Sequence, residues 1–495
     1  MKVINVMNFV RSLEPRDADI EKILFETTEA QLDLVNEQEV ENTFMLQYDA
    51  LCDERFVRLF KEKATERTEL ALWYEIVEPM TTACGMPYRS QYGWKWDWHI
   101  IPGFAMGYLP KDREALADEA MRKFKEVFGY YPKSVGSWLF DTHTVNYLAE
   151  KYDISAFFTC RDQINTDAYT LIGGYFNQAY YPCRNNFFTP AQTEAERVKT
   201  PVFRLLGSCP VRNYDGKKYC SEGLAAIHGC YTLEPAWYSG TDEKFVDWIY
   251  RSYFVNEDLG YSYAQIGQEN SFANCDLINP LRMQIEKAKA LSDVVFLKMS
   301  DTGDDFKRRF PDGTPATAVV ATDDWEGIDV QSVYYDCKNY TANIFRYGKE
   351  IFFRAFYLFD ERIKDHYENS VCDTFDAIYE NLPIVDTAVK RKERGGGLAL
   401  DKNAVPFEVE KVGEGELKVF WGDGKYVIFR EDCLEVACDG LSYDTWGATA
   451  SVSTDDGGYA FEYKEHGYRL NVEGAEGRRE LDFRGNNFIL RPVRN

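Results

Sequence analysis

The chain has 495 residues, 45% of them hydrophobic, which is length for two to four domains and apolar content for large buried cores. Its 57 basic against 81 acidic residues leave a net charge of −24, which argues against nucleic acid or an anionic membrane surface and favours a neutral or cationic small substrate. Nothing in it approaches the roughly 18 consecutive apolar residues of a membrane span. Met1–Arg11 lacks a signal peptide's apolar segment and cleavage site, and the twelve cysteines are scattered without metal-finger spacing, so a cytoplasmic protein with reduced thiols is expected.

In chain order, Val3 to Val10 reads as a buried strand with a polar exit at Asn8, Arg11 and Glu14, before a helix over Asp17 to Asn36. Asn42 to Asp49 is a second strand, ending on Gln47 and Asp49, with a helix from Glu54 to Lys63 behind it. Glu69 to Pro79 is a third, ending in Glu75 and Glu78. A long loop, Cys84 to Leu109, then carries Trp94, Trp96, Trp98 and His99, either as a plain strand with one aromatic face or as an aromatic platform over a saccharide-sized pocket. The helix Asp112 to Phe128 is closed by Gly129.

Pro132 to Cys160 reads as a complete βαβ unit. An apolar strand stops at Asp141, Thr142 and His143, a helix capped by Thr142 or Thr144 follows, and Ile154 to Cys160 is the next strand. The aromatic, Asn-rich segment Gln163 to Thr200 is expected either to overlie the barrel mouth, with Tyr180 at the site, or to form a surface hairpin. Val202 to Ser208 precedes a polar loop through Tyr214, Asp215 and His228. A helix near Thr241 to Tyr253, the strand Tyr261 to Asn270 with its Gln268-Glu269-Asn270 exit, the helix Leu281 to Leu291 and the strand Val294 to Met299 follow.

That alternation predicts a (β/α)7-8 barrel over 1–300, with a β-rich domain with a helical segment over 301–394 and an antiparallel, sandwich-like β domain over 395–495. Gly395 to Gly397 reads as a hinge between the last two.

In a parallel α/β fold the reactive groups collect at the carboxyl ends of the strands, where loops converge. The candidate catalytic residues are accordingly Glu75, Glu269, Asp141 and His143, with Arg11, Asp49, Trp94, Trp96, Trp98, His99, Tyr180 and Asn270 as substrate-binding candidates. Two carboxylates across a pocket suit glycosidic-bond chemistry, because burial and mutual repulsion push their pKa values apart. No cofactor is expected. A divalent metal on His99, His143 and a carboxylate is the alternative, although neither HxxxH nor HExxH occurs.

This order of motifs over Met1 to Ser300 resembles the glycoside hydrolase/deacetylase superfamily, and the whole chain looks similar to large bacterial proteins of that architecture. In the superfamily's polysaccharide deacetylases a first strand ends in paired aspartates and a later one in an HxxxH pair. Here the corresponding stretches are Asn8-Phe-Val-Arg11 and Trp73-Tyr-Glu75-Ile-Val-Glu78-Pro79. The resemblance therefore implies the branch that works with strand-end carboxylates, a glycoside hydrolase acting on a small oligosaccharide or glycoside. A metal-dependent deacetylase and a non-catalytic carbohydrate-binding protein are the rivals, and homo-oligomerisation is compatible with the chain.

Overall fold

The computed structural model describes residues 2–15, 20–166, 169–213, 231–257, 259–374, 377, 379–386 and 397–494. Asp17 to Asp19, Tyr214, Asp215, His228, Gly395 and Gly396 lie outside the described residues.

The first layer is a nearly closed barrel of mostly parallel strands. Its strands β1 (Lys2–Val10), β2 (Asn42–Leu46), β3 (Thr68–Trp73), β4 (Ser134–Gly136) and β5 (Ala156–Thr159) pair in sequence, Val202–Arg204 continues from β5, and Ser262–Ile266 pairs with β1 on its other side. Buried on both faces, β1 is a run of Val, Ile, Met and Phe interrupted only by Asn5 and Asn8. It is long enough to take two neighbours on one edge, Val294–Phe296 at Lys2–Ile4 and β2 at Val6–Val10. The seven- or eight-stranded expectation thus resolves into seven strands around the barrel, with Val294–Phe296 as a short extra pairing at the start of β1.

Side chains stitch the seam between Val202–Arg204 and Ser262–Ile266. Tyr263 N–H donates to Gln178 Oε1 and Leu206 N–H to Gln265 Oε1, each at 3.0 Å, while the Phe203 and Tyr263 rings meet at 5.2 Å. Buried amides satisfying backbone donors here do the work of a missing ladder. Gln178 is held there because Ala179–Tyr180 adds an antiparallel strand to Val202–Arg204. Part of the Gln163 to Thr200 segment therefore belongs to the barrel sheet.

Local chemistry sets the helices. Pro110–Phe128 starts with proline in its first turn and ends at Gly129, whose φ of +86° is the left-handed stop. Thr142–Lys151 is capped by Asp141, whose side chain accepts from Thr144 N–H, which corrects the assignment of the cap to a threonine. The helix Met299–Arg309 lies at the start of the 301–394 region expected to hold a helical segment, and it closes the amino-terminal end of the barrel. Glu69 accepts from Ser300 N–H and Ser134 Oγ, both at 2.8 Å, and a Cβ on Gly303 would sit 2.2 Å from Ser155 O.

The remaining chain forms two antiparallel sheets packed face to face. One runs from Thr317–Ala321 through Val330–Asp336, Tyr340–Tyr347 and Glu350–Leu358 to Gly397–Asp401, so strands on either side of the Gly-rich segment share one sheet. The other holds eight strands between Glu408 and Arg494, and Tyr335 stacks on Phe429 across the interface at 5.1 Å. Barrel and sandwich share apolar contacts: Phe176 stacks on Tyr334 at 3.7 Å and its N–H donates to Asp336 at 2.8 Å. Among the described residues no helix is long and apolar enough to cross a membrane.

Candidate active site

The carboxyl ends of β1, β3 and β4 converge with that of Ser262–Ile266. At the end of β1 the Arg11 backbone is clamped in both directions by Asn270, whose Oδ1 accepts from Arg11 N–H at 3.2 Å and whose Nδ2 donates to Arg11 O at 2.8 Å. The Arg11 side chain is thereby held inward, 2% exposed. Its guanidinium lies 3.9 Å from the centroid of the Trp96 ring, and Nη2 is 2.9 Å from Glu269 Oε1.

Glu75 lies two residues beyond the end of β3, 1% exposed. Its Oε2 accepts from the Trp96 indole at 2.7 Å, and the Trp73 indole lies beside the same carboxyl, with Oε1 buried and making no hydrogen bond of ordinary geometry. Burial pushes its pKa up to about 7; Glu269 adds to the rise and Arg11 opposes it. This carboxyl therefore holds its proton to higher pH than an ordinary glutamate.

Glu269 is built differently. Gly267, at φ +116°, brings the strand exit so close to β1 that a Cβ would lie 1.9 Å from Met7 O. Phe9 N–H then donates to Gln268 O at 3.3 Å, which places Glu269 beside β1. Its carboxylate is surrounded by donors: Arg11, the Trp138 indole at 3.0 Å and Ser271 Oγ at 2.8 Å. Phe9 and Trp73, each two residues back along its strand from Arg11 and Glu75, meet Trp138 at 5.2 and 4.8 Å. One carboxyl is thus buried with an open oxygen, and the other is ion-paired.

A third carboxyl escaped the sequence reading. Glu234, 6% exposed, accepts from Thr232 Oγ1 at 3.0 Å, the Trp237 indole at 2.7 Å and Gln268 Nε2 at 3.2 Å. Burial pushes its pKa up to about 7, with Glu269 adding to the rise. It sits in a loop rather than at a strand end, and its only sequence signal is a lone carboxylate before Pro235 in the largely apolar stretch Tyr231 to Tyr238.

The other candidates divide by their contacts. Trp96 is in the cluster. Trp94, Trp98 and His99 belong to an irregular loop, not a strand, and stack on one another and on Tyr92 at 4.6 to 5.3 Å, so much of their ring face is used internally. His99 Nδ1 is 2.6 Å from Asp97 Oδ1. Asn270 holds Arg11 from behind. Asp49 accepts from Ser12 N–H, Leu13 N–H and Ser12 Oγ, and so fixes the turn after Arg11. Asp141 is fully buried, five residues beyond β4, with its oxygens taken by Arg113 and Thr144; its contacts are those of a helix cap and buried ion pair. His143 lies on the same helix against Glu114 at 3.0 Å. Tyr180 is a core residue, its ring against Tyr175 and its hydroxyl on Phe187 O. Among the described residues no group of three or more His, Cys, Asp or Glu side chains is placed to hold a metal ion.

Fold and site together define a (β/α)7 barrel with a carboxylate-bearing mouth, followed by a β-sandwich. No protein-family model matches the chain, and no curated protein matches it. Among solved structures, a Parabacteroides distasonis protein assigned as a glycoside hydrolase/deacetylase superposes with a TM-score of 0.55 at 16% identity, over 76% of this chain and 89% of that one. A Mycobacterium smegmatis protein assigned as a polysaccharide deacetylase gives 0.38 at 13% identity, over 62% and 91%. The 4-alpha-glucanotransferase of Thermococcus litoralis gives 0.31 at 9% identity, over 100% and 98%. The chain shares its fold with the Parabacteroides distasonis protein.

Proposed function

We propose that the chain is a carbohydrate-active enzyme that cleaves a glycosidic bond, with Glu75 as proton donor and Glu269 as the ionised partner. The observation that carries this reading is the asymmetry of the pair. Glu75 retains a proton into the neutral range and leaves Oε1 open, whereas Glu269 is charge-compensated by Arg11 and anchored by Trp138 and Ser271. Two carboxyl groups in unlike surroundings, one raised by burial and one paired with an arginine, suit protonation of a leaving-group oxygen by the first while the second stabilises or attacks the developing oxocarbenium carbon.

Arg11 has two roles in this scheme. It supplies the counter-charge to Glu269 in a buried place, and through its position over Trp96 it fixes the indole that orients Glu75. Trp96 is shared by the two halves of the site. The exposed edges of Trp94 and Trp98 offer contact to a sugar ring at the rim, and the net charge of −24 favours a neutral or cationic glycoside over an anionic one.

The test is a screen of nitrophenyl glycosides and acetylated sugars, with and without chelator, on the wild type and on Glu75→Gln and Glu269→Gln. Chelator-resistant glycoside cleavage, lost in both variants, supports the assignment. Turnover that survives both substitutions sinks it, and chelator-sensitive deacetylation moves the chemistry to another set of residues.

A further inference from the structure

Three carboxylates of the mouth share one construction: each accepts a hydrogen bond from a tryptophan indole, Glu75 from Trp96, Glu269 from Trp138 and Glu234 from Trp237. The proposed chemistry uses only the first two. Glu234 is no less buried than Glu269 and reaches the segment that carries it. Gln268 Nε2 donates to Glu234 Oε1 at 3.2 Å, and Gln268 Oε1 accepts from Ala236 N–H at 3.2 Å, so the Gln268 side chain is gripped at both ends by the 234–236 turn. The Gln268 backbone is meanwhile tied to β1, its N–H to Asn8 Oδ1 at 3.3 Å and its carbonyl to Phe9 N–H and Gln31 Nε2. Glu269 follows directly. With Gly267 leaving no room against Met7 O, the segment has one register.

We propose that Glu234 is a positioning residue for Glu269, acting through Gln268 to fix its carboxylate and through its own charge to set how much negative charge the mouth carries. This rests on the glycosidase reading for its catalytic meaning, but the coupling itself is a property of the folded chain. The charge arm has burial as its main cause, with the like charge of Glu269 adding to the resistance of Glu234 to ionisation and Arg161 opposing it. Arg11 faces Glu14 as well as Glu269, and Arg161 faces Glu234, so ionisation of Glu75 and Glu234 as pH rises adds negative charge to a site that holds both signs. A site that must stabilise a cationic transition state is tuned by that second charge.

The indoles supply the readout. Full-length protein labelled with 5-fluorotryptophan carries ten fluorine probes, with Trp237, Trp138 and Trp96 assigned by single Trp→Phe variants. The Trp237 signal is expected to titrate with a midpoint near 7 in the wild type and to stop titrating in Glu234→Gln. In Glu269→Gln the same midpoint is expected to fall, because a like charge has been removed. Glu234→Gln is expected to displace the Trp138 signal, and Gln268→Met, which cuts the link while leaving both carboxylates, is expected to displace it likewise. A Trp138 signal unmoved in both variants, or a Trp237 midpoint unmoved in Glu269→Gln, overturns the proposal. If Glu234→Gln does not fold, Gln268→Met and Glu269→Gln decide it alone. On a glycoside that the wild type cleaves, Glu234→Gln is expected to lower kcat by about ten- to a hundredfold with KM within about threefold, and Glu234→Asp to recover part of the loss. Absence of any glycoside turnover refutes the glycosidase reading and leaves the fluorine result to decide the coupling.

Discussion

Replacing Glu75 by glutamine should make the protein slower and, at alkaline pH, more stable. The folded-state pKa is raised to about 7 from the usual 4.5, and burial is the main cause. A group whose folded-state pKa is raised binds its proton more tightly in the native state, so folding stability is lost as pH rises through 4.5 and the loss is complete above 7. At about 1.36 kcal/mol per pH unit, that interval corresponds to roughly 3 kcal/mol of latent destabilisation at pH 8. The neutral amide does not ionise and escapes it, retaining an oxygen to accept from Trp96.

Urea unfolding of wild type and Glu75→Gln at pH 4.5 and pH 8 measures this directly. The difference between the proteins is expected to move in favour of the variant by up to about 3 kcal/mol between the two pH values. The same substitution removes the proposed proton donor, a role worth about 10²- to 10⁴-fold in turnover. That loss is expected to shrink for a dinitrophenyl glycoside, whose leaving group departs without protonation. The wild-type rate should fall tenfold per pH unit above 7, and the variant's should not. A stability difference that is the same at both pH values refutes the burial argument, and an equal loss for good and poor leaving groups refutes the role of proton donor.

Arg11→Met leaves Glu269 buried without its cation and should cost about 3–5 kcal/mol near neutral pH, as read by urea unfolding. Asp141→Ala strands Arg113 and uncaps Thr142–Lys151, so a loss of about 3–5 kcal/mol is expected, with the specific activity of the folded fraction unchanged. His143→Ala removes only a partly exposed pair with Glu114 and should change stability by less than about 1 kcal/mol and leave turnover alone. Gly267→Ala drives a methyl into Met7 O and should abolish activity together with the native near-ultraviolet circular dichroism of the site's tryptophans.

Fully buried parallel strands announce themselves as short apolar runs, so β1, β2, β3 and the strands near Val202 and Ser262 were legible in the sequence, and with them the barrel. Their polar exits were legible too, because an abrupt change from apolar to charged residues marks where a strand leaves the sheet; this is how Glu75, Glu269 and Arg11 stand out. The same rule promoted Asp141 and His143, which a linear reading cannot tell from the others, because β4 stops at Gly136 and the five residues after it carry Asp141 away to a helix cap. Trp96 and Tyr180 look alike as aromatic residues in long loops, yet one donates to Glu75 and the other fills the core.

What the chain determined on its own was periodicity and charge placement, which are local and survive in one dimension. Tertiary structure alone decided which charges meet. Gly267 has to press against Met7 before Glu269 reaches Arg11, and the 232–237 turn has to fold back to Gln268 before Glu234 reaches Glu269. The protonation states follow from those meetings. Burial is what raises the pKa of Glu75 and Glu234, and the groups that bury them are drawn from segments far apart in the chain.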